Sequence, residues 1–133
     1  MIFFDTNMLI YFSINQIEDR QKRSMEIVEK AIAEDRFFIS PLVFSEFIFV
    51  LSKIKMLDVS EERVKYFSKY IQGSIDKKLV KESYLLCEEI KFCKNINDVI
   101  HLKTAEKYCS KIITFDSDFK NLQKFTNLEI EIL

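Results

Sequence analysis

The sequence predicts an α/β fold in which a parallel sheet of about five strands is covered by helices on both faces. Three observations carry that reading. Short, unbroken apolar runs recur, and two of them end in an aspartate: Ile2-Phe3-Phe4 before Asp5, and Ile112-Ile113-Thr114-Phe115 before Asp116. Such runs suit strands buried on both faces of a parallel sheet. Stretches with helical spacing lie between them, and strands alternating with helices imply right-handed crossovers. Finally, the chain has one glycine, Gly73, and one proline, Pro41, so its connections are short and its structure mostly helical.

Taken in order, Ile2 to Phe4 forms the first strand. Ser24 to Ala33 follows as a helix, with Met25, Ile27, Val28, Ala31 and Ile32 along one face. Phe37-Phe38-Ile39 is the next strand and stops at Ser40-Pro41. Ser40 suits an N-cap and Pro41 the first helical position of a helix reaching about Lys55. Ser60 followed by Glu61-Glu62 opens another helix, because acids favour the first turn. A short strand is expected near Leu79-Val80, then a helix over Glu82 to Cys93. Asn97 is expected to cap a helix that runs to about Cys109. Ile112 to Phe115 is the following strand, and Leu128 to Leu133 alternates apolar and acidic residues as an edge strand does. No linker, repeat or low-complexity tract divides residues 1–133, so one domain is expected.

Composition sets the function classes. The chain has 133 residues, 48% of them hydrophobic and 13 of them Phe, so a sizeable core can form. With 20 basic and 21 acidic residues, the net charge is -1. That balance argues against a generally basic nucleic-acid binder, although a basic rim around an acidic pocket stays open. No run approaches the ~20 apolar residues of a membrane helix. The apolar start stops at Asp5 with no basic segment before it, so a signal peptide is not expected. Cys87, Cys93 and Cys109 are odd in number and form no C-x-x-C pair, which fits reduced thiols in the cytoplasm.

The chemistry concentrates on four acids. In a parallel sheet, ligands bind outside the carboxyl ends of the strands. Asp5 and Asp116 each follow a strand directly, Glu46 lies early in the helix after the Phe37 strand, and Asp98 opens its own helix. Glu46 is the only charge between Leu42 and Leu51. A helix that apolar is expected to be buried on most sides, and a buried carboxylate must be paired, protonated or metal-bound. Its structural alternative is a solvent gap or a nearby Lys. Asp5-Thr6-Asn7 alone is also a helix cap, Asp98 a favourable first-turn acid, and Asp116-Ser117-Asp118 a turn. Together, four clustered carboxylates call for a hard divalent cation, Mg²⁺ or Mn²⁺, which can activate water and stabilise a phosphoryl transition state. His101 reads as a packed helix residue or a support behind the site. Lys77, Lys78 and Lys81, and likewise Lys91 and Lys94, read as solvated faces.

These residues resemble the PIN-domain family, and within it the stand-alone VapC-type toxins. Asp5-Thr6-Asn7 resembles the family's opening D-T/S-N, and Ser45-Glu46 its S/N-E helix motif. Asp98 to Ala105 resembles its D-x-x-I/H-x-x-x-A helix, and Thr114 to Phe119 its T-x-D-x-D-F ending. Lys103 stands where a small residue is common, and Asp58 to Lys94 carries no diagnostic residue. The resemblance implies a three-layer α/β/α fold with a five-stranded parallel sheet. It implies an Mg²⁺- or Mn²⁺-dependent endoribonuclease that cleaves RNA by in-line attack of an activated water, leaving a 5′-phosphate and a 3′-hydroxyl. It further implies a homodimer and a small antitoxin partner. By this resemblance Asp5, Glu46, Asp98 and Asp116 are catalytic and metal-holding, with Asn7, Thr114 and Asp118 accessory.

Other classes fit less well. A phosphatase with an aspartyl-phosphate intermediate needs an acid two residues after its nucleophile, where this chain has Asn7. A receiver-type signalling domain expects an acidic pair after the first strand and a Lys after the last, and neither is present. The remaining alternatives are a PIN fold used only for binding, or an RNA-processing nuclease that is not a toxin.

Overall fold

Four strands lie side by side in the order β2-β1-β3-β4, all parallel. They are β1 (Ile2–Phe4), β2 (Phe37–Phe38), β3 (Lys111–Thr114) and β4 (Glu129–Ile132). The computed structural model describes residues 1–91 and 95–133, so the expectations for Cys93 and Lys94 fall outside the described residues. β1 is central: Ile2 pairs with Phe37 on one side and Lys111 on the other. Phe3, Phe4 and Ile112 have no exposed surface, as strands covered on both faces require.

Six helices cover the sheet: α1 (Thr6–Ser13), α2 (Glu18–Ala33), α3 (Pro41–Lys53), α4 (Glu61–Ser68), α5 (Lys77–Ile90) and α6 (Ile96–Tyr108). The expected start of α3 is present in detail. Ser40 Oγ accepts the Val43 N–H at 3.1 Å, with Pro41 in the first turn. Val43, Phe47 and Leu51, at i, i+4 and i+8, form its buried stripe. Helix α1 is foreshadowed only by the helix-cap alternative for Asp5-Thr6-Asn7, which sets no extent for it. Met8, Leu9, Ile10 and Phe12 are all buried, and a helix buried nearly all round shows no polar periodicity.

Two expectations are corrected. Leu79-Val80 is not a strand but the first turn of α5, because Asp76 Oδ1 accepts the Leu79 N–H at 2.9 Å and starts a helix there. The sheet is accordingly four-stranded. Its outer edge beside β2 carries only one parallel bridge, Ile39 to Ile71, with the Gln72 N–H donating to Ile39 O at 2.9 Å. Gly73 follows at φ +76, and a Cβ there would sit 2.8 Å from the Tyr108 ring, so the chain's one glycine is required where it stands. Asn97, in turn, does not cap α6. The helix begins at Ile96 behind Asn95, and the Asn97 side chain is left to reach elsewhere. No helix among the described residues is long and apolar enough to cross a membrane.

Candidate active site

The neighbouring strands β1 and β3 end at the same edge of the sheet and deliver Asp5 and, just past Thr114, Asp116. α3 starts from the same edge after β2. α6 runs back to the opposite edge, where Ser110 donates its N–H to Met1 O at 3.0 Å, so the beginning of α6 and Asp98 also lie at the carboxyl edge. Asp5, Glu46, Asp98 and Asp116 accordingly line one cleft of about 410 Å³. A larger hollow, about 900 Å³ beside Lys103, Glu106 and Phe125, is lined by none of the predicted site residues.

Asp5 is buried and fixed on both oxygens. Oδ1 accepts the Thr6 N–H at 2.7 Å, capping α1. Oδ2 accepts from Thr114 Oγ1 at 2.7 Å and from Asn7 Nδ2 at 3.3 Å. Asp5 is thus both a cap and a cleft residue. Asn7 also donates to Thr114 Oγ1 at 3.2 Å and accepts the Phe115 N–H at 3.1 Å, tying β1 to the exit of β3. Thr114 Oγ1 accepts the Asp116 N–H at 2.9 Å, and Asp116 Oδ1 accepts the Asp118 N–H at 2.9 Å. Asn7 and Thr114 therefore position acids through their side chains. Asp118 does so only through its backbone, and its own side chain is exposed.

Glu46 faces the cleft with a quarter of its side chain exposed, and among the described residues no lysine pairs with it. Oε2 accepts from Thr6 Oγ1 at 2.5 Å and lies 3.0 Å from His101 Nε2, while Oε1 accepts from Asn97 Nδ2 at 2.9 Å. Three donors from α1 and α6 hold one carboxylate of α3. Asn97 and His101 are four residues apart and share one face of α6. That polar pair in a mostly buried helix was the available signal for this role. Asp98 Oδ2 accepts from Asn95 Nδ2 at 2.7 Å.

Protons partly balance the cluster. Burial pushes the Asp5 carboxyl above the usual range, although His101, Thr114 and the Thr6 N–H pull against it. Asp98 is pushed up to about 7, first by burial and then by the charge of Asp5, with Asp116 and Glu46 adding to it and His101 opposing. Burial also acts to raise Glu46, but its hydrogen bond and charge interaction with His101, aided by Thr6 and Asn97, outweigh it and leave Glu46 below its usual value. The same partners lift His101 above its ordinary value against the opposing effect of its own burial. Cys109 is pushed to about 12 by burial, which disfavours its thiolate.

The donor set fits a hard divalent cation. Asp5 and Glu46 offer oxygens, and His101 a nitrogen, all within 4.8 Å of one another, and Asp98 and Asp116 line the same cleft. Carboxylates in excess of their positive neighbours suit a hard divalent cation. His101 Nε2 is engaged by Glu46, and its Nδ1 is buried with no hydrogen-bond partner among the described residues.

Comparison with known proteins is consistent with this geometry. The sequence model of the PIN domain matches residues 2–124. Ribonuclease VapC2 of Methanocaldococcus jannaschii is 30% identical, covering 97% of this chain and 93% of its own length. The fold matches the crystal structure of VapBC2 from Rickettsia felis bound to a DNA fragment from their promoter. The TM-score is 0.70 at 18% identity, over 100% of this chain and 99% of the other.

Proposed function

The chain belongs to the PIN-domain family, and from that premise we propose that it is a divalent-metal-dependent endoribonuclease, the toxin of a toxin–antitoxin pair. The observation that carries this reading is the convergence of Asp5, Glu46, Asp98 and Asp116 on one cleft. Asp5, Asp98 and Asp116, with Glu46, would hold Mg²⁺ or Mn²⁺. When bound, the cation supplies a Lewis acid that lowers the pKa of a water and offsets charge on the phosphoryl group. The chain's own residues set the stage. Thr114 and Asn7 fix Asp5 Oδ2 and tie the end of β1 to the exit of β3. Thr6, Asn97 and His101 hold Glu46 ionised and in one rotamer. Asp98, raised to about 7, is only partly ionised near neutral pH, and a bound cation would favour its ionised form.

The relative named Ribonuclease VapC2 and the neighbour named VapBC2 support an RNA substrate and a small antitoxin partner. Homodimerisation and a cytoplasmic location belong to the same proposal. A small gene for an antitoxin beside this one would favour the toxin over a processing nuclease.

The test is cleavage of single-stranded RNA by purified protein. Cleavage is expected with Mg²⁺ or Mn²⁺, and loss of it with EDTA or in Asp5→Asn. Cleavage that survives EDTA would sink the metal mechanism, and the lack of any metal-supported cleavage would favour a PIN fold used only for binding.

A further inference from the structure

We propose that Arg20 and Phe49 form a substrate-holding rim of the acidic cleft, Arg20 binding a backbone phosphate beside the scissile one and Phe49 stacking an unpaired base. The inference rests on the nuclease reading above and deepens it, because it makes single-stranded RNA the substrate and assigns two residues to its capture.

Four carboxylates repel a polyanion, so a cleft that admits one needs an uncommitted cation in or beside its wall. Arg20 does not line the cleft itself but stacks on Tyr11, which does, and so stands at its margin. It is half-buried, its guanidinium carbon lies 5.1 Å from the Tyr11 ring centre and 5.2 Å from that of Phe115, and Nη1 donates to Tyr11 Oη at 2.7 Å. The two rings meet edge to face at 5.0 Å. Tyr11 lines the cleft, and Phe115 immediately precedes Asp116. All these contacts are to neutral groups. Among the described residues Arg20 forms no ion pair with a carboxylate. Its charge is therefore committed to no carboxylate among the described residues. A planar guanidinium with five N–H donors matches a phosphate in geometry as well as charge.

Phe49 supplies the second contact. It lies three residues after Glu46, one turn along α3, and lines the same cleft. It is 65% exposed, the one phenylalanine on the exposed side among those described. Aromatic faces beside a phosphate site stack bases without regard to sequence. A duplex keeps its base faces hidden in the stack, so only an unpaired nucleotide satisfies both contacts.

The experiment measures binding of a labelled, mixed-sequence single-stranded RNA to Asp98→Asn protein with Mg²⁺ across a salt series. Cleavage by the corresponding variants in the otherwise native chain is followed alongside. Arg20→Gln should weaken binding about 10-fold and lower the salt slope by about one, and Arg20→Lys should restore the slope but not the full affinity. Phe49→Ala should weaken binding about 10-fold at an unchanged slope, and Phe49→Tyr should retain affinity. A blunt RNA duplex should compete poorly. Unchanged affinity in both Arg20→Gln and Phe49→Ala, in proteins that melt like their parent, would overturn the proposal, as would a duplex that competes equally. Unchanged affinity in Phe49→Ala alone would assign that ring to a protein partner and overturn its stacking role. If the native chain cleaves no RNA with either metal, the nuclease reading fails, and the binding series still judges the rim by itself.

Discussion

Two helices carry acids into the cleft and hold them in opposite ways. On α3, Glu46 is surrounded by donors, Thr6, Asn97 and His101, and stays ionised below its usual range. At the start of α6, Asp98 is 9% exposed, its one side-chain donor among the described residues is Asn95, and burial, then the charge of Asp5 with those of Asp116 and Glu46, pushes it to about 7. The same residue chemistry thus serves two ends. Glu46 is a preorganised anion whose order owes nothing to a cation. Asp98 is a stored repulsion that a bound cation would relieve. Burial alone does not separate the two, because both are desolvated, and the count of donors does.

The largest expected effect erases the contrast. Asp98→Asn and Glu46→Gln should each lower RNA turnover by at least about 100-fold, since even supports behind metal ligands cost 10- to 100-fold. Retention of native turnover by either variant would remove that residue from the site. Stability in EDTA should then restore the contrast. Glu46→Gln replaces an acceptor with an amide whose NH₂ must face a donor, either Asn97 or the Thr6–His101 pair. An unsatisfied buried group costs about 1–3 kcal/mol, so the variant should melt several degrees lower. Asp98→Asn keeps an acceptor for Asn95 while removing a like charge, so it should melt higher than the native protein near pH 8. Excess Mg²⁺ should raise the native melting temperature more than that of either variant. Equal shifts of the same sign in EDTA for the two variants would show that donor count does not distinguish these walls.

How much of this contrast was legible in the sequence differs between the two walls. The acids themselves were readable, because Asp5 and Asp116 end apolar runs and Glu46 is the lone charge in a long apolar stretch. The Ser40-Pro41 start of α3 was equally plain, since capping is a local signal. Thr6 and Asn97 were not readable as partners of Glu46. Their contacts span 40 and 51 positions, and nothing local distinguishes a capping Asn from one that reaches across the fold. The same ambiguity moved the start of α6 from Asn97 back to Ile96. Leu79-Val80 misled because two apolar residues fit a strand or a helix, and the deciding residue, Asp76, lies three positions upstream. Phe49 is the converse case. An apolar helix was expected to be buried on most sides, yet one side opens onto the cleft.

A smaller effect sharpens the comparison from the donor side. Asn97→Ala and His101→Gln leave the carboxylate of Glu46 in place but free it to rotate. Each should lower Mn²⁺ affinity and turnover by about 10-fold, less than loss of the acid itself, in keeping with residues that orient a ligand. Calorimetric titration with Mn²⁺ measures the first and RNA cleavage the second. Asn95→Ala is the matching change on the other wall. It should matter less for order and more for the proton on Asp98. Should Asn97→Ala bind Mn²⁺ as the native protein does, the three donors around Glu46 would be a packing feature only.

The smallest expected effect is a pH dependence that the two walls share out between them. Asp98 has a folded pKa raised from 3.8 to about 7, so the folded state holds a proton that the unfolded state has released. For such a group, stability is greatest at low pH and falls as pH rises through the window from about 4 to about 7. His101 is also raised, so its contribution is full below the ordinary histidine range and declines as pH passes upward through its higher folded value. Glu46, being lowered, contributes in the opposite sense: its share is present at neutral pH and is lost only on strong acidification. Melting curves in EDTA should therefore show the native protein losing stability from about pH 5 to pH 8. Asp98→Asn should remove the Asp98 share of that decline and leave the shares of Asp5 and His101, both of which are also raised. Saturating Mg²⁺ should flatten the Asp98 part in the native protein, because the cation replaces the proton, and its affinity should climb over the same range as the competing proton leaves. A native protein whose metal-free stability follows the same course from pH 5 to pH 8 as that of Asp98→Asn would show that Asp98 carries no proton in the folded state. The contrast between the two walls would then have to rest on geometry alone.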